Sequence, residues 1–126
     1  MKFTYLILLS VFSVSFCHGQ DSYTPSKMIK TLGSFTKSKI LLQSEISDLI
    51  DSKKCKYLTK NRSYGAPVGL FAKNDIKNAA KGIDEWIEMD KGNSYVLTNY
   101  KWVPKDVHGS TQLFVEFDSL HCVEEK

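Results

Sequence analysis

Residues 94–117 read SYVLTNYKWVPKDVHGSTQLFVEF and contain the two segments of the chain that are most typical of β-strands. The first, 94–103, is rich in Tyr, Val, Leu, Thr and Trp, which fit a pleated surface. The second, 111–117, places Leu, Val and Phe at alternate positions, as one buried face of a sheet requires. A proline and a glycine lie between the two segments, so we predict a β-hairpin with its loop at 104–110.

An amphipathic helical pattern precedes this hairpin, between residues 24 and 54. Thr24 can cap a helix, and Pro25 suits the first helical position. Apolar residues then recur at spacings near those of a helix, and the pattern breaks at Lys39. Gly33 and Ser34 either kink the helix or divide it in two, and 40–52 is its clearer half. The apolar positions are Met28, Leu32, Phe35, Leu42, Ile46 and Leu49.

Residues 83–89 fit two different structures. A helix there would contain Gly82 and carry acidic residues at its negative end, which the helix dipole disfavours. A strand would pair with residues 94 onward through the turn DKGN at 90–93. We favour the strand, with Trp86 and Ile87 facing Leu97 and Val96. Before it we expect a short edge strand at Val68, Leu70 and Phe71 and a helical turn capped by Asn74 and Asp75.

The fold class predicted from these elements is α+β. An N-terminal amphipathic helix, kinked or straight, would pack on one face of an antiparallel meander sheet of about 3–4 strands. Residues 20–126 would form one small domain of this kind.

Residues 1–19 have the organisation of a secretory signal peptide. Lys2 provides the positive start, an apolar run extends to Phe16, and Cys17 and Gly19 are the small residues before a cleavage site. The run is shorter than the ~20 residues that span a bilayer. We therefore predict a secreted or periplasmic protein with no stable membrane anchor. The alternative is a lipoprotein signal with Cys17 as the acylated residue, although Phe16 is unfavourable before it.

Removal of the signal leaves two cysteines, Cys55 and Cys122. Two cysteines in an exported chain predict one disulfide, here closing a loop of 67 residues. Such a bridge stabilises a fold by ~4 kcal/mol in the chain-entropy model.

Charge is distributed unevenly along the chain. Residues 21–82 carry 12 Lys and Arg against 5 Asp and Glu, whereas residues 83–126 carry 4 against 9. A basic loop at 53–62 is the densest cationic segment and would bind an acidic surface. Export and the nearly balanced total argue against nucleic acid as a partner. Asn61 begins a glycosylation sequon. The candidate binding residues are Lys53, Lys54, Lys56, Lys60, Arg62, Tyr57 and Tyr64.

Catalytic motifs are scarce in the sequence. It contains no nucleophile elbow, no HExxH helix and no glycine-rich phosphate loop. The weak candidates are His108 with Asp106 in the hairpin loop, and His121 with Asp118 at the chain end, where Glu116 could pair with Asp118. We predict no metal site and no cofactor, and a protein that is more consistent with binding than with catalysis.

Aromatic residues fall on both faces of the predicted sheet. Strict alternation puts Tyr100 and Trp102 on the face of Val96, and Tyr95 and Leu97 on the other. One helix can cover only one face. The other face must therefore meet the basic segment, a partner or a second copy of the chain.

These features favour a small exported binding protein, either monomer or homodimer. Its partner would be a protein with an acidic surface, bound in the manner of an inhibitor or an immunity-type factor through the basic loop and an exposed aromatic face. One alternative is a small secreted hydrolase that uses a loop histidine with Asp or Glu. Another is a module that binds an anionic glycan or a lipid head group.

Protein recovered after export should begin at Gln20, because Cys17 and Gly19 supply the small residues that signal peptidase requires. Intact-mass spectrometry with sequencing of the N-terminal peptide measures this directly. A lipid-modified Cys17 or a retained leader would contradict the predicted cleavage.

Overall fold

The computed structural model describes residues 23–104 and 111–123. The predicted signal peptide and the hairpin loop with Asp106 and His108 lie outside the described residues. In chain order the elements are α1 Pro25–Phe35, β1 Lys39–Leu41, α2 Gln43–Asp51, β2 Cys55–Gly65, α3 Ala72–Met89, β3 Ser94–Pro104 and β4 Thr111–Cys122. None of the helices in these ranges is long and apolar enough to cross a membrane.

The strands form one sheet in the order β1-β3-β4-β2. The predicted hairpin is confirmed, since β3 and β4 pair antiparallel from Ser94 with Leu120 to Pro104 with Thr111. β2 pairs antiparallel with the other side of β4, whereas β1 lies parallel to β3. The α+β class is therefore confirmed, but the sheet is mixed and not an antiparallel meander. The three-residue β1 is what the sequence pattern missed.

The first amphipathic segment is two helices separated by β1. Thr24 accepts a hydrogen bond from the Lys27 N–H and Pro25 opens α1, as predicted. The division falls at residues 36–42 and not at Gly33 and Ser34, so the expected helix at 40–52 begins only at residue 43. The Asp84 carboxylate accepts hydrogen bonds from the backbone N–H groups of residues 37 and 38, at 2.8 and 3.0 Å. These bonds hold the chain extended as it enters β1.

Residues 83–89 belong to α3, so the predicted strand there is wrong. Helix α3 buries a stripe of small and branched apolar side chains against the sheet, and that burial outweighs the unfavourable dipole. Gly82 within the helix is explained by Tyr64, whose ring carbon would lie 2.2 Å from an added Cβ. The buried members of the stripe are Ile76, Ala79, Ala80, Ile83 and Ile87.

The segment before α3 also differs from the prediction. Val68, Leu70 and Phe71 form no strand, and α3 begins at Ala72, before the expected cap at Asn74 and Asp75. The first turn of α3 binds this segment, since the Asp75 carboxylate accepts a hydrogen bond from the Gly69 N–H.

Both faces of the sheet are covered at least in part. Helices α1 and α3 pack on one face, around a core that includes Tyr95, Leu113 and Phe117. Helix α2 covers one end of the other face, where a smaller cluster includes Val96 and Leu120. A register shift between Leu97 and Asn99 interrupts the alternation of β3. Tyr100 and Trp102 therefore pack with Tyr95 and not, as predicted, with Val96.

The predicted disulfide is confirmed. Cys55 and Cys122 are paired positions at the start of β2 and the end of β4, with Cα atoms 4.0 Å apart. The bridge thus fastens an outer strand to the strand beside it, at the end of the sheet where α2 packs.

Replacing both cysteines by serine should lower the free energy of unfolding by about 2–4 kcal/mol, because the unfolded chain regains the freedom of a 67-residue loop. Urea denaturation of the double variant and the oxidised protein measures the difference. Equal midpoints would show that the bridge contributes nothing to stability.

Candidate binding site at the disulfide end of the sheet

The predicted basic loop is a strand over most of its length. Residues 55–65 form β2, and only Lys53 and Lys54 precede it. Lys53 occupies a left-handed turn conformation with φ of 62°. The side chains of Lys53, Lys54, Lys56 and Lys60 are all exposed. The lysines thus line the outer strand of the sheet, which pairs with β4 on its inner side.

Arg62 has a structural role and faces the protein. Its guanidinium forms two hydrogen bonds with the Asp90 carboxylate and lies 4.2 Å from the centre of the Trp86 ring. The Arg62 hydrogen bond holds the pKa of the Asp90 carboxyl below its usual range. Arg62 therefore joins β2 to the C-terminal end of α3, and the cationic surface contains one charge fewer than the sequence indicates.

The two tyrosines of the predicted site are also partly enclosed. Tyr57 packs against the smaller core cluster, and the Lys60 ammonium lies 4.1 Å from the centre of its ring. Tyr64 packs against the main core, at Gly82 of α3. Of the seven predicted binding residues, the four lysines are thus the exposed ones.

Three lysines from two segments of the chain line a groove beside the disulfide. The groove encloses about 630 Å³, and its lysines are Lys37, Lys39 and Lys54. Part of its wall is the Cys55–Cys122 bridge. A volume of this size is in the range of ligand sites in proteins. The groove presents cationic groups with few acids, and so favours an anionic occupant.

The pairing of β1 with β3 is what brings these lysines together. Lys39 lies opposite Ser94, and its N–H donates to the carbonyl of Asn93 at 3.0 Å. On the other side of the groove, the carbonyl of Lys54 accepts a hydrogen bond from the Val123 N–H at 2.8 Å. Lys37 and Lys39 could not be predicted as site residues, because neither has a neighbour in sequence that indicates a binding site.

The polar framework of the groove is engaged in hydrogen bonds. The Asn93 side chain binds the backbone of Cys122 twice, through its amide donor and its carbonyl acceptor. Glu45, the acidic residue of the groove, accepts from the Leu42 N–H at 2.9 Å and closes the first turn of α2. Lys37, Lys39 and Lys54 are the cationic residues of this wall.

The catalytic candidates do not come together in the described residues. Asp118 is buried and accepts a hydrogen bond from the Asn61 N–H at 2.8 Å, which stabilises an irregular stretch of β2. His121 is exposed, and its position three residues along β4 puts it on the opposite face from Asp118. Glu116 is exposed opposite Ser63. Within 23–104 and 111–123, no three His, Cys, Asp or Glu side chains are grouped to hold a metal ion.

The aromatic residues predicted to form an exposed face are buried or partly buried in the protein. Tyr95 is buried, donates or accepts a hydrogen bond with the Thr36 hydroxyl, and has its pKa raised by burial. The Tyr100 hydroxyl donates to the carbonyl of Tyr23 at 2.8 Å. Trp86 and Trp102 are half-buried. Lysines, and not aromatic rings, therefore dominate the candidate site.

Comparisons with known proteins give this site no precedent: no family model, no curated protein and no solved structure matches the chain.

Arg62→Met should lower the free energy of unfolding by about 2 kcal/mol at neutral pH, because Asp90 loses a charge-assisted hydrogen bond. A carboxyl whose folded pKa is lowered stabilises the fold above its ordinary value of 3.8 and loses that effect as the pH falls. The difference in free energy of unfolding between the variant and the wild type should therefore become smaller below pH 3.8.

Urea denaturation across this pH range measures the deficit. Lys60→Met is the matched control, since it removes an exposed cation from the same strand. Equal stabilities of the two variants at neutral pH would contradict the structural role of Arg62.

Proposed function

We propose that the chain is a small exported binding protein that recognises an acidic surface of another protein, as an inhibitor or immunity-type factor does. The observation that carries the proposal is the convergence of Lys37, Lys39 and Lys54 around the groove at the disulfide end. Lys53 and Lys56 extend this cationic surface onto the adjoining turn and β2.

The shape of the surface supports a protein partner. The groove includes Cys55, the first residue of an outer strand 11 residues long, on which Lys56 and Lys60 are exposed. The cations therefore extend beyond the groove. A macromolecule with several carboxylates can contact the groove and the strand together. Electrostatic complementarity of this kind accelerates association and gives specificity.

The edge of β2 adds a second means of recognition. Its inner side is paired with β4, and the sheet has no described strand on its outer side. Unpaired N–H and C=O groups on such an edge can accept an extended segment of a partner. Lysines on an edge strand also discourage indiscriminate pairing, which limits the occupant to a segment that carries acidic residues.

An anionic glycan is the principal rival ligand, because sulfate or carboxylate groups would satisfy the same lysines. Hydrolysis receives less support, since Asp118 and His121 lie on opposite faces of β4. The two binding hypotheses differ in whether the ligand is a polypeptide.

Charge reversal of Lys37, Lys39 and Lys54 to Glu should weaken binding of an acidic partner by about tenfold or more at low salt. The effect should diminish as salt rises, because ~1 M salt reduces the Debye length to ~3 Å. Proteins captured from the culture fluid of the source, polyglutamate and heparin are the three probes, and calorimetry measures their affinities.

The matched control is the triple variant of Lys73, Lys77 and Lys81 to Glu, which changes the charge equally on α3. A captured protein that binds the control normally and the groove variant poorly would support the proposal. Tight binding of heparin without any captured protein or polyglutamate binding would favour the glycan module. Equal weakening by both triple variants would show that only total charge matters.

A further inference from the structure

The segment 67–71 presents apolar side chains to solvent at the opposite end of β2 from the disulfide. Leu70 is 90% exposed and Phe71 is 73% exposed, and Val68 beside them is 38% exposed. We call Val68, Leu70 and Phe71 the apolar tip. Two adjacent large apolar side chains in water are costly, and exposed apolar groups of this kind mark interaction sites more often than isolated ones do.

The protein holds the apolar tip in this exposed position by several hydrogen bonds. The Ala66 N–H donates to the carbonyl of Leu113 at 2.9 Å and fixes the start of the segment. The side-chain amide of Asn78 donates to the carbonyl of Pro67 at 2.9 Å, and Asp75 accepts from the Gly69 N–H. The phenylalanine carbonyl accepts from the first turn of α3. Such anchoring keeps the tip from folding back onto the core.

The chain that contains and follows the apolar tip carries mostly positive charge. Between residues 66 and 83 the charged side chains are Lys73, Lys77, Lys81 and Asp75. Asp75 is buried and its carboxyl pKa is raised by that burial, whereas the three lysines are exposed. They recur at every fourth residue, which aligns them along one side of α3. This side starts at the helix N-terminus, where the positive end of the dipole reinforces their field.

We propose that the apolar tip inserts into the surface of an anionic lipid bilayer, with Lys73 and Lys77 bound to the head groups. Apolar side chains flanked by cations are the combination that peripheral proteins use at anionic membranes. Binding is reversible, because the tip contains only two fully projecting side chains.

The size of the tip favours a bilayer over a protein partner. A specific protein interface covers about 800 Å² on each partner and needs a complementary surface. Two side chains provide much less than that area, whereas a fluid bilayer adapts to any inserted group. The groove lies near Cys55 and the tip follows Gly65, so the two surfaces are at opposite ends of one strand. A molecule docked through its tip would therefore keep the groove accessible.

The test is cosedimentation of the exported protein with vesicles of phosphatidylcholine and phosphatidylglycerol, and with vesicles of phosphatidylcholine alone. All variants carry the same N-terminus, established by mass spectrometry, so differences between them arise from the substitutions. The wild type should bind the mixed vesicles, and bind the neutral ones about tenfold or more weakly, since each lysine near an anionic surface contributes about fivefold.

Two variants test the apolar tip and the lysines beside it separately. Leu70→Ser with Phe71→Ser removes the apolar groups, and Lys73→Glu with Lys77→Glu reverses the charges. Each should reduce partitioning by about tenfold. Phe71→Trp should retain it, because the apolar ring is preserved. Circular dichroism and thermal melting confirm that the variants are folded, which is expected for exposed positions.

The controls lie away from the tip. Met89→Ser removes a side chain that is 70% exposed at the far end of α3, and Lys37→Glu with Lys39→Glu makes the same charge change in the groove. Both should bind vesicles as the wild type does.

Three results would overturn the proposal. One is absence of wild-type binding to the mixed vesicles, and another is undiminished binding by the serine variant. The third is a tip-dependent dimer in sedimentation equilibrium without vesicle binding, which would assign the tip to a second copy of the chain. The groove variant, Lys37→Glu with Lys39→Glu, distinguishes failure of this proposal from failure of the proposed function. It should lose affinity for the acidic partner and retain binding to the vesicles.

Discussion

Strand β4 is the element on which the rest of the structure depends, because its backbone pairs with β3 on one side and with β2 on the other. The β3 pairing is local, since the two strands are joined by a short loop. The pairing of β2 with β4 joins strands that are separated in the chain by α3 and β3, so it needs support from side chains. That support comes from three places: the disulfide at one end, Asp118 in the irregular middle, and Arg62 with Asp90 against α3.

The features that could be predicted from sequence are those fixed by local chemistry. The hairpin, the Thr24 cap and the disulfide each follow from a few residues whose preferences agree with the fold. The predicted strand at residues 83–89 was wrong because local preferences count Gly82 and the acidic residues against a helix. They take no account of the apolar surface that α3 buries against the sheet. Tyr64 provides the missing reason for the glycine, and it is 18 positions away in the chain. Likewise the register shift after Leu97, which the pattern alone does not reveal, reversed the assignment of Tyr100 and Trp102 to a face.

Only the part of the candidate site that is contiguous in sequence could be predicted. Lys53, Lys54, Lys56 and Lys60 form a dense basic segment, and each is exposed. Lys37 and Lys39 join them only through the parallel pairing of β1 with a strand more than fifty residues later. The charge asymmetry between the halves of the chain is also partly neutralised in space, since Asp90 of the acidic half pairs with Arg62 of the basic half. What persists are two separate cationic regions, one at each end of β2.

The disulfide has a further consequence, because it is both a fastening between strands and part of the groove wall. A chain with reduced thiols lacks that part of the wall as a fixed surface, at the point where Lys54 precedes Cys55. In the proposed function, formation of the bridge would therefore complete the binding groove as well as stabilise the fold.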